Sequence, residues 1–354
     1  MKNIKNNSNY PLLPKITIIF LFLFSWITIT AQDFTKTYYN EKYDVDKGAS
    51  LVIQNKFGDI KCQAWDENSV AVVVSVEVDA SSQEKANKVF EKISIDLTGN
   101  RLKVEGKTTV GNINNANFSV NYEIRMPRWI VIDLNNQFGD IYLDETDGLV
   151  KINLEYGAME TNTLNGPAEL NIKFSDVEAG FIKDGNLNIE YSEWDMKGGE
   201  MLKLRSRFSE IEIEKIEKLN LDSQYDDVII GSAGQVIAIS RFTDLNFEKI
   251  IGDFDFDIEY GELSANNISA GFKLGKVRNT FAETTLTFDP KASMNINAEL
   301  EFGDLSYPKA NASMNEETLG YTTHVYKGRI GASSGTFSQL TIVSKNADVN
   351  IEFE

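Results

Sequence analysis

QFGDIYL, residues 137–143, has a close copy in KFGDIKC (56–62) and another in EFGDLSY (301–307). Looser copies, KFSDVEA (173–179) and RFSEIEI (207–213), lie between them. Anchoring on the aromatic gives Phe138, Tyr156, Phe174, Tyr191, Phe208, Tyr225, Phe242, Tyr260, Phe281 and Phe302. Successive gaps are 18, 18, 17, 17, 17, 17, 18, 21 and 21 residues. A fixed period of this size is the signature of a repeat architecture.

The other apolar positions give the geometry. An aliphatic residue, Met or Trp stands three places after nearly every aromatic: Ile141, Met159, Val177, Trp194, Ile211, Val228, Leu245, Leu263 and Leu305. Others stand two places before it, as at Leu154, Ile172, Ile189 and Ile258. Inward side chains on a strand recur every two residues. The odd step from the aromatic to the residue three places on therefore demands a corner, at the Gly-Asp, Ser-Asp or Ser-Glu pair. A further apolar position near the eighth place (Leu164, Ile182, Ile216, Ile250, Ile268) suggests a third side. Short strands joined by corners in a unit of 17–18 residues describe one coil of a single-stranded parallel β-helix, or β-solenoid.

Phe and Tyr alternate, so a coil of about 35 residues is a rival. The residue before each aromatic decides between them: Glu155, Lys173, Glu190, Arg207, Gln224, Arg241 and Glu259. The short coil stacks Glu on Lys on Glu on Arg, whereas the long coil stacks Lys173 on Arg207 and Glu155 on Glu190. Opposite charges side by side help by roughly 0.2–1 kcal/mol and like charges hurt, so the short coil is expected. The aromatics share parity with Ile and Leu and are read as a buried, stacked core ladder. Cys62, five places after Phe57, is read as a small buried apolar residue.

Four regions follow: a signal peptide at 1–31, a first coil with a β-rich excursion at 32–135, a regular solenoid at 136–305, and an irregular hairpin region with a terminal coil at 306–354. Lys2, Lys5 and Lys15 precede the apolar run ITIIFLFLFSWITIT (16–30), and no acid occurs before Asp33. That reads as a secretory signal cleaved after Ala31; an uncleaved anchor is the alternative and the one expected route to the membrane. Cleavage would leave 323 of 354 residues and take the formal net charge from −18 to −21. In the excursion, VAVVVSVEV (70–78) alternates as a strand. SSQEKANKVFEKI (81–93) forms one short helix, with Ser81 and Glu84 as a capping box. At the other end, Asn346 takes the aromatic's place in a closing repeat.

Charge and composition narrow the function. An acidic chain lacks the clustered Lys and Arg that phosphate binding needs, so nucleic acid is excluded as a partner. The single cysteine allows no internal disulfide, and none follows the apolar run to carry a lipid. The single histidine, His324, is expected in a surface loop and cannot build a histidine relay or a two-histidine zinc site. No phosphate-cradling loop, dinucleotide fingerprint or nucleophile elbow is present.

The sharpest candidate is the carboxylate two places after the aromatic: Asp140, Asp176, Glu193, Glu210, Asp227, Asp244, Glu262, Glu283 and Asp304. These form an acidic row along one edge. A glycoside-cleaving pair is a local cluster, whereas this row is uniform. Nothing matches the Gly-Gly-x-Gly-x-Asp calcium repeat, and no metal or other cofactor is expected. The row reads as a solvated edge opposing self-association, with Asx-turns at the Asp corners. A monomer is expected.

The repeated aromatic–Gly/Ser–Asp/Glu–aliphatic units, the leader and the closing LTIVSKNADVNI (340–351) together resemble the bacterial putative-adhesin β-solenoid family, which includes proteins with Gly-Ile-Asn repeats. The resemblance covers roughly Ser50 to the C-terminus and departs in preferring Phe-Gly-Asp-Ile. It implies an exported, non-enzymatic protein of the periplasm, outer cell surface or medium. Its expected role is an adhesin or cell-envelope scaffold, with an envelope, cell-surface or glycan partner. The alternatives are a carbohydrate-binding or carbohydrate-cleaving β-helix and a periplasmic signalling partner.

Overall fold

A computed structural model describes residues 32–331 and 337–354; the expected signal peptide lies outside the described residues. Apart from one helix, the regular structure among them is β. The chain winds as the short-coil β-solenoid. From Ala158–Lys173 through Asp176–Glu190, Glu193–Arg207, Glu210–Gln224, Asp227–Phe247 and Phe254–Ile268 to Leu274–Phe288, each strand pairs parallel with the next. The charge row stacks in the alternating order: Glu155 lies against Lys173, Lys173 against Glu190, and Glu190 against Arg207. Lys173 and Glu190 make an ion pair at 3.2 Å, and Arg241 and Glu259 one at 3.4 Å.

One coil shows how the sequence makes the section. After Tyr191 a short face runs over 193–196, burying Trp194 and Met196. The chain turns near Gly199 and returns along a longer face over 201–207, burying Leu202, Leu204 and Ser206. In other coils the second turn is filled by Leu164, Ile182, Ile216, Ile250 and Ile268, all within 1% of full burial. Aliphatic residues stacked coil on coil thus make one continuous core.

The aromatic corner departs from expectation. The side chains of Phe138, Tyr156, Phe174, Tyr191, Phe208, Tyr225, Phe242, Tyr260 and Phe281 are 37–50% exposed. Each adopts a left-handed backbone with φ between 50° and 60°. That conformation places the bend at the aromatic itself, one residue earlier than parity alone suggests. The residue two before stays inside, the aromatic swings outside, and the small residue after it turns inside. Ser175, Ser192 and Ser209 are accordingly buried. The core lies between the rows, and the ladder stands outside it.

Both ends are covered by insertion. The strand Ser50–Lys56 lies parallel between Lys103–Val110 and Val131–Gln137, and Ile60–Trp65 lies between Asn117–Pro127 and Ile141–Leu143. The coil of Phe57 is therefore the immediate neighbour of that of Phe138, across 81 residues of sequence. Antiparallel strands Ser69–Ala80 and then Gln32–Asp44 extend one face, and Ile93–Gly99 extends the other. The helix spans Gln83–Phe90 and buries Ala86, Val89 and Phe90. Its N-cap is Ser82, which accepts from Lys85 N, rather than Ser81, whose hydroxyl meets the Lys85 ammonium.

At the C-terminal end the closing repeat is not outermost. Ser338–Lys345 inserts in parallel between Leu274–Phe288 and Met294–Glu301. Val349–Phe353 likewise lies between Leu274–Phe288 and the strand Leu305–Ser306. The chain leaves a one-coil gap, makes the hairpin Ala312–Leu319 and Thr323–Ile330 beyond it, and returns to fill the gap. Sequence order alone does not encode this return. The outermost strands Gln32–Asp44 and Ala312–Leu319 carry several charged side chains, which discourages edge-to-edge pairing.

Candidate binding surface along the aromatic corner

Ten rings from Phe57 to Phe281 stack along the solenoid with centroids 4.7–5.2 Å apart and planes within 9° of parallel. Nine intervals at the strand spacing of about 4.8 Å make a strip roughly 43 Å long. Asn346, with φ 56°, holds the same corner in the inserted coil. It separates Phe281 from Phe302, and the stack ends there.

A bulky residue in the left-handed region costs about 1–2 kcal/mol, and Gly or Asn is the residue such a corner ordinarily takes. A stacked aromatic neighbour returns about 0.5–1.5 kcal/mol. The two nearly cancel, which leaves the partial burial of each ring as the net gain, smaller than that of the fully buried aliphatic rows behind it. Ring faces are covered by neighbouring rings, and the exposed part is a ridge of ring edges. Along its length the strip therefore offers apolar edges rather than open platforms.

The corner is held by polar contacts between coils. In glycine coils the backbone packs directly: a Cβ on Gly139 would lie 2.1 Å from the Gly58 carbonyl oxygen. In the middle coils hydroxyls replace it. Ser175 N donates to Ser192 Oγ (3.1 Å), and Ser192 N to Ser209 Oγ (3.2 Å). Ser209 N donates to Asp226 Oδ1 at 2.8 Å, and Asp226 N to Thr243 Oγ1 at 3.2 Å. Asp226 thus occupies a serine position. Its carboxylate also accepts from Ser206 Oγ (2.6 Å) and Gln224 N (3.0 Å). Burial raises its pKa, and these hydrogen bonds oppose the rise. Its signal in the sequence was an acid in the small-residue slot of QYDDV.

On one flank of the ridge stand the predicted carboxylates. Asp176, Glu193, Glu210 and Asp227 are exposed and in register on successive strands, as are Asp244 and Glu262. Asp140 is half-buried. Its Oδ1 accepts from Ala158 N at 2.8 Å, and its proximity to the Tyr142 hydroxyl (3.3 Å) raises the phenol's pKa. Asp244 Oδ1 similarly accepts from Glu262 N at 3.0 Å. These aspartates bridge neighbouring coils rather than closing Asx-turns on their own chain segment. On the other flank runs the alternating row, where Lys56 places its ammonium over Phe57 and Phe138 at 5.1 and 5.6 Å.

The remaining reactive side chains lie elsewhere. Cys62 is buried and its thiol is pushed up to about 12 by desolvation, as suits an inert core residue. His324 sits on the strand Thr323–Ile330, not in a loop, 3.9 Å from both Asp304 and Glu316. Among the described residues no cluster of three or more His, Cys, Asp or Glu is arranged to hold a metal ion. No helix among them is long and apolar enough to cross a membrane. The long face also carries an apolar cleft of about 380 Å³ bordered by Met201, Ile237 and Leu274.

No family model matches the chain, and no curated protein matches it. Among solved structures it is similar to a putative cell adhesion protein from Clostridium sporogenes, at 12% identity and a TM-score of 0.17, covering 92% of this chain and 100% of that one. A putative adhesin from Parabacteroides distasonis matches at 10% identity and a TM-score of 0.33, over 91% and 97% of the two chains. One from Bacteroides fragilis matches at 11% identity and 0.21, over 92% and 99%. All three TM-scores lie below 0.5.

Proposed function

We propose that the chain is an exported, non-enzymatic β-solenoid whose repetitive surface serves adhesion or scaffolding in the cell envelope. The observation that carries this reading is the exposed ring ladder. Left-handed corners that Gly or Asn would fill more cheaply are filled instead, coil after coil, by Phe and Tyr. Stacking roughly offsets that cost, and sparsely populated backbone conformations persist where function retains them. An exposed apolar strip of this length, rimmed by charge, is the form an interaction surface takes.

The partner is an envelope, cell-surface or glycan component rather than nucleic acid. Two copies meeting ridge to ridge in antiparallel fashion would set one carboxylate row against the other, which disfavours that dimer. The acidic row thus opposes self-association in that arrangement and leaves the strip to other partners.

The test uses cells of the source bacterium producing wild-type protein or a variant combining Tyr191→Asn, Phe208→Asn, Tyr225→Asn and Phe242→Asn. Asparagine is chosen because Asn346 already holds this corner. Surface proteolysis with fractionation should find the wild-type protein accessible on intact cells, and the variant, equally abundant, should lower adhesion to coated surfaces several-fold. Release only after outer-membrane rupture, or equal adhesion by the variant, would contradict the reading.

A further inference from the structure

The long face carries a polar feature confined to the first coils. Three places before the corner aromatic, Asn135 lies against Asn153, Asn153 against Asn171, and Asn171 against Asn188. The first three are exposed. Asparagine is depleted in strands, and the same row continues beyond them as Arg205, Asp222 and Ile239. Over the asparagines lies a cleft of about 480 Å³, lined by Asn135, Asn153, Asn171, Gln137, Glu155 and Lys173 among others. That volume falls in the range of small-ligand sites.

A structural explanation is an amide ladder bonding coil to coil. The row does not close as such a ladder. Asn171 Nδ2 donates to Asn153 Oδ1 at 3.0 Å, but Asn135 has no side-chain hydrogen bond among the described residues, and Asn188 turns to Glu190. Free on the surface are both ends of the Asn135 amide, the Asn153 NH₂ and the Asn171 oxygen. Asn55 and Asn136 lie on the opposite, buried side of their strands and donate to the Gly58 carbonyl, so they take no part in this surface.

The charges, by contrast, alternate in sign along the row. Glu155 accepts from Gln137 Nε2 at 2.9 Å, Lys173 is paired with Glu190, and the Lys56 ammonium lies over aromatic rings. What the cleft offers is paired amide donors and acceptors among charges that balance, the Lys56 and Lys173 ammoniums against the Glu155 and Glu190 carboxylates, beside the apolar edges of Phe138, Tyr156 and Phe174. Hydroxyl groups, each both donor and acceptor, match amides in this way, and the C–H faces of a pyranose match ring edges.

Resting on the adhesive reading above, we infer that this cleft is a subsite for a neutral polysaccharide, laid along the solenoid axis so that successive sugar rings meet successive coils. The charge-neutral lining selects against uronic acids and sulfated chains.

Isothermal titration of the protein with cellohexaose, xylohexaose, chitohexaose and a hexagalacturonate tests it. At least one neutral hexasaccharide should bind, with the acidic one binding at least tenfold more weakly. Asn153→Ala and Asn171→Ala should each weaken binding about 3- to 10-fold, the loss of one neutral hydrogen bond. Glu193→Gln, on the opposite side of the ridge, should leave it unchanged. Circular dichroism checks that each variant is folded, and Asn153→Asp supplies a second variant of the same shape. Failure of all neutral hexasaccharides to bind, or equal binding by the asparagine variants, would overturn the inference. Adhesion lost in the ladder variant alongside absent saccharide binding would leave the adhesive reading standing and sink this subsite alone.

Discussion

Each coil has two corners, and both are apolar in sequence, yet they behave oppositely. At one, Leu164, Ile182, Ile216, Ile250 and Ile268 are fully buried. At the other, Phe and Tyr stand half in water. The difference lies in the backbone. The aliphatic corner keeps its side chain toward the core, whereas φ near 55° at the aromatic corner turns the side chain outward. Hydrophobicity identifies which residues recur. The handedness of the backbone decides on which side of the wall they stand.

The largest effect that would sharpen this contrast is at the aliphatic corner. Ile216→Ala should cost about 2–5 kcal/mol, by lost transfer energy and a cavity, whereas Phe208→Asn should stay within about 1 kcal/mol of wild type. Equilibrium urea unfolding reads both, and equal losses would break the comparison. Next comes a change confined to the aromatic corner. Phe208→Ile sets a β-branched residue at positive φ and should be less stable than Phe208→Asn by about 1–2 kcal/mol. A more stable isoleucine variant would mean that the corner rewards hydrophobicity rather than backbone freedom.

Smaller still is the flanking charge row. Glu190→Lys places three cations in succession on neighbouring strands and should cost roughly 0.2–1 kcal/mol for each opposed pair. The loss should shrink in high salt, and a salt-independent loss would point to packing instead.

The smallest effect concerns Asp226, behind the aromatic corner. Its pKa is raised in the folded state, so folding takes up protons in the window beginning near its ordinary value of about 3.9. The associated stability is fully present below that value and is lost as pH rises through the folded pKa. Asp226→Ser matches the hydroxyl used at Ser175, Ser192 and Ser209. Its stability relative to wild type should improve between about pH 3 and pH 7, measured by urea midpoints across that range. A relative decline with pH would mean that the hydrogen bonds to Asp226 outweigh its desolvation.

Much of this was legible in the residues. The period, the short coil and the register followed from the spacing of Phe138 to Phe302 and from alternating Glu155, Lys173, Glu190 and Arg207. Both are local properties that stacking must satisfy. The side on which the rings stand was hidden, because parity assumes extended backbone and a single left-handed residue resets it. The insertion of Ser338–Lys345 was hidden for another reason: identical coil shapes let a segment stack wherever a gap is left. The carboxylate row was visible by type, and its placement beside an exposed ridge needed the backbone. The asparagine row was visible too, in LNNQF, NLEY, NIKF and NIEY, but only as a pattern without a surface.

Hydroxyl-radical footprinting of the folded protein, read residue by residue by mass spectrometry, tests the central claim most directly. Tyr191, Phe208, Tyr225 and Phe242, each about half exposed, should oxidise at a substantial fraction of their rates in the urea-unfolded chain, while Trp194, three residues after Tyr191 and fully buried, stays protected. Protection of the four rings to the same degree as Trp194 would return the ladder to the core and contradict the account.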